Sequence, residues 1–203
     1  MSSAHRIQLL RIKDKLSMAR LADPSKRIFG ADSHCYQLRS RASEVEICAF
    51  ETKYKVQLPS GFRAFLLKVG NGGAGPDYGI YPLGKGMSQL FGEDPVSFLN
   101  QPCILTPALT NEEWEAMSMV RNDEDVSDEV YVEESGKLFG GILILGTQGC
   151  TYYNGLVLTG PHQGRVIFLD GAWQKPYFAE EDCFLNWYES WLGKVISGKL
   201  KKY

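Results

Sequence analysis

The chain has 203 residues, of which 44% are hydrophobic and 23% charged, and 22 basic against 24 acidic side chains leave a net charge of −2. Apolar material is ample to offset chain entropy, which excludes a mainly disordered chain, and the basic excess of a general nucleic-acid binder is absent. A chain of this length buries roughly 70% of the surface it exposes when unfolded, enough for one domain over 1–203 without a disulfide or metal staple. Its apolar runs, such as Ile142-Leu143-Ile144-Leu145 and Val166-Ile167-Phe168-Leu169, fall far short of the about twenty residues of a membrane span. Met1 to Leu16 alternates charged and aliphatic residues and lacks the unbroken apolar stretch of a signal peptide, so the expected compartment is the cytoplasm. Cys35, Cys48, Cys103, Cys150 and Cys183 are odd in number, widely spaced and without a C-x-x-C pair. They read as free thiols.

In chain order, Leu9, Ile12, Leu16 and Ala19 recur at helical spacing and predict a helix from Ala4 to Leu21, stopped by Asp23-Pro24. A short strand is possible at Tyr36-Gln37-Leu38. Ser43 and Glu46 form a capping-box pattern that opens a second helix, with Ile47, Phe50 and Tyr54 on one face. Pro59 suits the first turn of a third helix, whose stripe is Phe62, Phe65, Leu66 and Val69. Residues 1–42 are thus a helix and lead-in to a core over 43–203. Gly79 to Leu83 reads as a strand, and 84–109 as an irregular connector punctuated by glycine and proline. Thr110 and Glu113 repeat the capping box before a helix from Asn111 to about Arg121. An acidic loop leads to Gly136. Strands follow at Ile142 to Leu145, Thr151 to Thr159 and Arg165 to Asp170, the last two joined by a hairpin loop at Gly160 to Gly164. Phe184, Trp187, Tyr188, Trp191, Leu192 and Val195 give the final helix the strongest periodicity in the chain. Phe65 and Trp187 are expected to be buried in one core.

Gly70-Asn71-Gly72-Gly73-Ala74-Gly75 spells a dinucleotide fingerprint, but it follows a helix where that motif must follow a strand and open a helix. It reads as a helix stop and tight turn, with positive φ expected at one or more of Gly70, Gly72, Gly73 and Gly75. Gly79 to Lys85 resembles a phosphate loop, but Gly86 stands where the magnesium-binding hydroxyl belongs. Asp123, Asp125, Ser127 and Glu134 follow a calcium-loop spacing, but Asp128 replaces the required glycine, and Ser135-Gly136 argues against an exiting helix. No cofactor or metal is therefore expected. Catalytic groups are sparse. Cys150 beside His34 or His162 could be drawn as a nucleophile and base, yet nothing local supports the pair, and Cys150 reads as a small buried thiol. No catalytic residue is assigned.

Charge is distributed unevenly. Met1 to Arg41 holds nine basic and three acidic residues, whereas Asn111 to Glu134 holds ten acidic residues and one basic, Arg121. A solvated face explains such a run. The functional alternative is an electrostatic docking surface for a basic protein, carried chiefly by Asp123, Glu124, Asp125, Asp128 and Glu129.

Together these residues resemble the SUKH superfamily, in particular bacterial relatives of the fungal cell-wall regulator Smi/Knr. The resemblance spans about Leu9 to Ile196. It is most specific in Phe50-Glu51, Leu58-Pro59, Arg63-Ala64-Phe65-Leu66 and Val69-Gly70-Asn71-Gly72-Gly73-Ala74-Gly75-Pro76 with Tyr78-Gly79. Phe29-Gly30-Ala31 with His34 and Tyr36 matches the lead-in of longer members; Gln148-Gly149-Cys150, Leu156-Val157 with Gly160, and Gly164-Arg165-Val166 with Asp170 match the later hairpin. Arg39-Ser40-Arg41 departs from a proline-containing approach to the second helix, and Phe168 stands near where tryptophan is common. The resemblance implies an α+β fold: one mixed, largely antiparallel sheet with N-terminal and C-terminal helices packed around it. It implies binding and not catalysis: many bacterial members look like immunity proteins that neutralise toxins exchanged between neighbouring cells, often nucleases. A regulatory or scaffold module is the alternative, and an unrecognised hydrolase comes last. On this reading the partner is a toxin domain with a basic surface, and Gly70, Asn71, Gly72, Gly73 and Gly75 are fold determinants.

Overall fold

The apolar runs of the second half pair into an antiparallel sheet of order β1-β2-β3-β4: β1 Ile142–Gly149, β2 Tyr152–Val157, β3 Val166–Asp170 and β4 Tyr177–Phe178. The computed structural model describes residues 3–86, 96–119 and 126–200. Ile142 to Gly146 are all buried, because helices cover both faces of the sheet, and strands so covered lose hydrophobic alternation. Leu143, Leu145, Leu156 and Val166 point into one apolar cluster; Ile142, Ile144, Val157, Ile167 and Leu169 point into the other.

The first cluster is built by α1 Ser3–Ala22, α2 Ala31–His34, α3 Glu44–Tyr54, α4 Ser60–Lys68 and α8 Phe184–Ile196. The predicted stripes are the buried ones: Leu9, Ile12, Leu16 and Ala19 in α1, and Ile47, Phe50 and Tyr54 in α3. Both halves of the α3 capping box form. Ser43 Oγ accepts from the Glu46 backbone N–H at 3.2 Å, and the Glu46 carboxylate accepts from that of Ser43 at 2.7 Å. Phe65 and Trp187 lie in this cluster. The α1–α8 contact is closed at its edge by Glu189, which takes Arg11 and Lys15, each at 2.9 Å.

The second cluster lies under α5 Val96–Leu99, α6 Asn111–Met117 and α7 Asp128–Leu138. The capping box at Thr110 and Glu113 forms as predicted. The helix α7 corrects the acidic loop of the sequence reading: Ser135 and Gly136 lie inside it and do not stop it. Gly136 is there because α7 presses on α5, and a Cβ at this position would collide with the Phe98 ring. Gly136→Ala is accordingly expected to cost about 1–3 kcal/mol by overpacking, although alanine is the better helix former by about 1 kcal/mol. A urea melt showing a gain in stability would contradict that close approach.

The glycine turn behaves as read, with φ of 89° at Gly72 and 99° at Gly73. Gly73 forms a bridge with both Leu38 and Ile80, so three strands of backbone meet at a residue without a side chain. The Asn71 side chain secures the exit by accepting from the Leu83 N–H at 2.8 Å. The expected strand from Gly79 to Leu83 shrinks to the single bridging residue Ile80. Gly79 at φ 92° bends the chain away, and Pro82 has no N–H to extend a ladder.

Candidate protein-binding surfaces

Two surfaces on opposite faces of the sheet have the character of binding sites. The first is the acidic surface anticipated from charge. Asp128 and Glu129 occupy the exposed first turn of α7, where the helix dipole favours carboxylates. Asp123, Glu124 and Asp125 lie outside the described residues. Glu112, Glu113 and Glu115 of α6 are also exposed. Lys137 is engaged by Glu133 at 3.0 Å and Glu134 at 2.6 Å, which leaves the surface anionic. Val130, Tyr131 and Val132 stand exposed among these charges, and Tyr131 is held against Trp173 with ring centroids 5.3 Å apart. They project about 100° apart around α7, so Val130 and Val132 flank the Tyr131 ring on either side of the acidic surface.

The second surface is a groove of about 430 Å³ at the end of the first cluster, which the sequence reading did not identify. A row across the strands, Asn154–Phe168–Tyr177, forms its sheet side. Trp187 and Trp191 of α8 form the facing wall, and Phe29, Asp77 and Gln148 come from three separate loops and strand ends. Glycines bring those segments together: Gly30 packs on the Asp77 carbonyl, Gly79 on that of Gly73, and Gly146 on that of Gly79, each with no room for a Cβ. Gln148 donates to Asn154 at 3.0 Å, and the fully buried Asn154 donates to Asp77 Oδ2 at 3.0 Å. Burial raises the Asp77 pKa, offset in part by the Asn154 hydrogen bond.

The profile of the SMI1/KNR4 family (SUKH-1) matches residues 41–190, most of the chain. The chain belongs to the SMI1/KNR4 family. Curated protein sequences yield no match. Membership in SMI1/KNR4 agrees with the α+β architecture and supports a non-catalytic module that works through protein–protein contacts. The matched span contains the glycine turn, α7 and the sheet side of the groove; Phe29 and Trp191 fall outside it.

In this SMI1/KNR4 chain the described residues do not bring Cys150 together with the histidines drawn beside it. Cys150 is exposed, not buried as expected, because the tight β1–β2 turn holds it at φ 50° and directs it outward. Among the described residues no hydrogen bond joins it to His34 or His162. His162 sits in the hairpin loop against Phe178. His34 is buried; its Nδ1 accepts from the Tyr36 N–H at 3.0 Å, and its ring stands edge-on to Trp191. Burial pushes its pKa down from the ordinary 6.5 to about 4. Between those values the unfolded chain binds a proton that the fold refuses, so stability is expected to fall as pH drops from 6.5 toward 4. Glu189, with a pKa lowered from 4.5 to about 2 by Arg11 and its neighbours, loses its contribution at more acid pH, as its own carboxylate is protonated. Thermal melts of wild type and His34→Gln across pH 4 to 7 check this. The variant should melt lower at pH 7 and depend less on pH; an equal slope would assign the effect to another group.

Proposed function

We propose that this protein is an immunity-type module that binds a basic toxin domain and blocks it. The observation that carries the reading is the α6–α7 surface, where Val130, Tyr131 and Val132 are exposed within a field of carboxylates. Carboxylates steer a basic partner and fix its orientation, while desolvated apolar side chains supply the holding energy. A nuclease toxin suits this chemistry, since a groove built for phosphates is positively charged, and an acidic surface placed over it would exclude substrate.

Growth of cells expressing a toxin domain encoded beside this gene tests the proposal. Co-expression of the chain should restore growth, and Val130→Ser combined with Val132→Ser, at exposed positions of α7, should reduce the rescue while the fold is kept. No rescue by the wild-type chain would favour the second reading, a regulatory or scaffold module, which the family match also accommodates.

A further inference from the structure

The aromatic groove has one polar feature that its hydrogen bonds leave incomplete. Asp77 is fixed by the Gln148–Asn154 relay through Oδ2 alone. Its second oxygen, Oδ1, makes no hydrogen bond within the described residues and is not among the sealed polar atoms. A half-buried carboxylate with one amide donor is poorly compensated for its lost hydration. Around it stand the rings of Phe29, Phe168, Tyr177, Trp187 and Trp191. Lys194 is on the rim, but Glu181 lies 3.8 Å from its Nζ, so among the described residues that line the groove Asp77 carries the one charge without an ionic partner.

Those features select a ligand. An anion would be repelled by Asp77, and a neutral apolar group would leave Oδ1 without a partner in a drier site. A cation satisfies the carboxylate and is attracted to the aromatic rings. Guanidinium does so better than ammonium, because it is planar, stacks on rings, is weakly hydrated and presents a fork to a carboxylate. The cavity of about 430 Å³ is ample for such a side chain with its flanking backbone. We propose that this groove receives an arginine side chain of a protein partner, with Asp77 as the counter-ion, the exposed Tyr177 ring as the stacking face and the largely buried Trp187 and Trp191 lining the opposite wall. The inference goes beyond the acidic-surface reading, since Trp187 and Trp191 belong to the first cluster and Leu138 of α7 to the second, across the sheet.

The test is an NMR titration of the full chain with N-acetyl-arginine amide, with its citrulline counterpart as the neutral isostere. The indole N–H signals of Trp187 and Trp191 should shift saturably, with Kd on the order of 1 mM, as suits a single side chain. Those of Trp114 and Trp173, in the other cluster, should stay in place. Citrulline should bind at least about fivefold more weakly, because it lacks the charge. Asp77→Asn should weaken arginine binding by about the same factor while keeping the fold, since asparagine tolerates the φ of 53° at this position and can still accept from Asn154. Tyr177→Ala, at an exposed position, should weaken it without loss of stability. Equal binding of citrulline, an unchanged affinity in Asp77→Asn, or no saturable shift would overturn the proposal. Asp128→Asn with Glu129→Gln should leave the titration unaltered; a loss there would place the cation on the acidic surface instead.

Discussion

Truncation of Phe65 to alanine is expected to remove about 3–5 kcal/mol of stability, with Trp187→Ala toward the lower end of that range. Phe65 is fully buried, and its ring is edge-on to Phe184 and Tyr188 with centroids 5.2 and 4.8 Å away. Neither neighbour can follow the missing ring, because Phe184 is also packed on Phe62 and the Tyr188 hydroxyl donates to the Ala74 carbonyl at 2.7 Å. The void therefore persists, and the cost contains a cavity part as well as lost transfer energy. Trp187 borders the groove, so water can fill part of the space it leaves. Against a typical total stability of about 5–15 kcal/mol, either loss brings the chain close to unfolding at moderate urea. Urea melts measure it, and a loss below about 1 kcal/mol in both variants would contradict the placement of α4 and α8.

Gly73→Val is the second large effect, expected to cost about 3 kcal/mol or more. The φ of 99° is strained for any side chain, and the strain adds to a collision. A Cβ at this position would strike the Gln37 carbonyl and lie 2.9 Å from Arg39 N and Leu38 Cα. These are backbone atoms in a bridge and cannot swing aside. Gly193→Ala is the matched control: the position is within α8, has ordinary φ and has nothing within 4 Å of a built Cβ. It should gain about 0.5–1 kcal/mol from helix propensity and reduced unfolded-state entropy. Equal behaviour of the two variants in a thermal melt would show that the turn does not require glycine.

These two variants also mark what was legible in the sequence. The stripe of α4, the periodicity of α8 and both capping boxes are local patterns, and each is found where it was predicted. The glycine run was legible as a turn because a helix must end there. The helix α7 was not, since Ser135-Gly136 imitates a stop, and only the ring of Phe98, remote in sequence, explains the glycine. The groove was illegible for the same reason. Trp187 and Trp191 fit a core stripe, and nothing in the spacing of Phe29, Asp77, Gln148, Phe168 and Tyr177 says that close backbone contacts at Gly30, Gly79 and Gly146 bring them together. Of the charge signal, Asp128 and Glu129 are exposed on a helix whose apolar neighbours the composition did not single out.

The most direct test of the proposed docking through the acidic surface is the association rate with the proposed partner, a basic toxin domain, at two ionic strengths. Wild type is compared with a variant carrying Asp123→Asn, Glu124→Gln, Asp125→Asn, Asp128→Asn and Glu129→Gln. Electrostatic steering raises on-rates by about ten- to a thousandfold at low salt and is screened over about 10 Å at 0.1 M. The variant should therefore associate about tenfold or more slowly at low salt and the gap should close as salt rises, while melting falls only by the about 1–2 kcal/mol that two first-turn carboxylates contribute to α7. Equal rates at every ionic strength, with the fold intact, would reduce the segment to a solvated face and contradict the proposed docking.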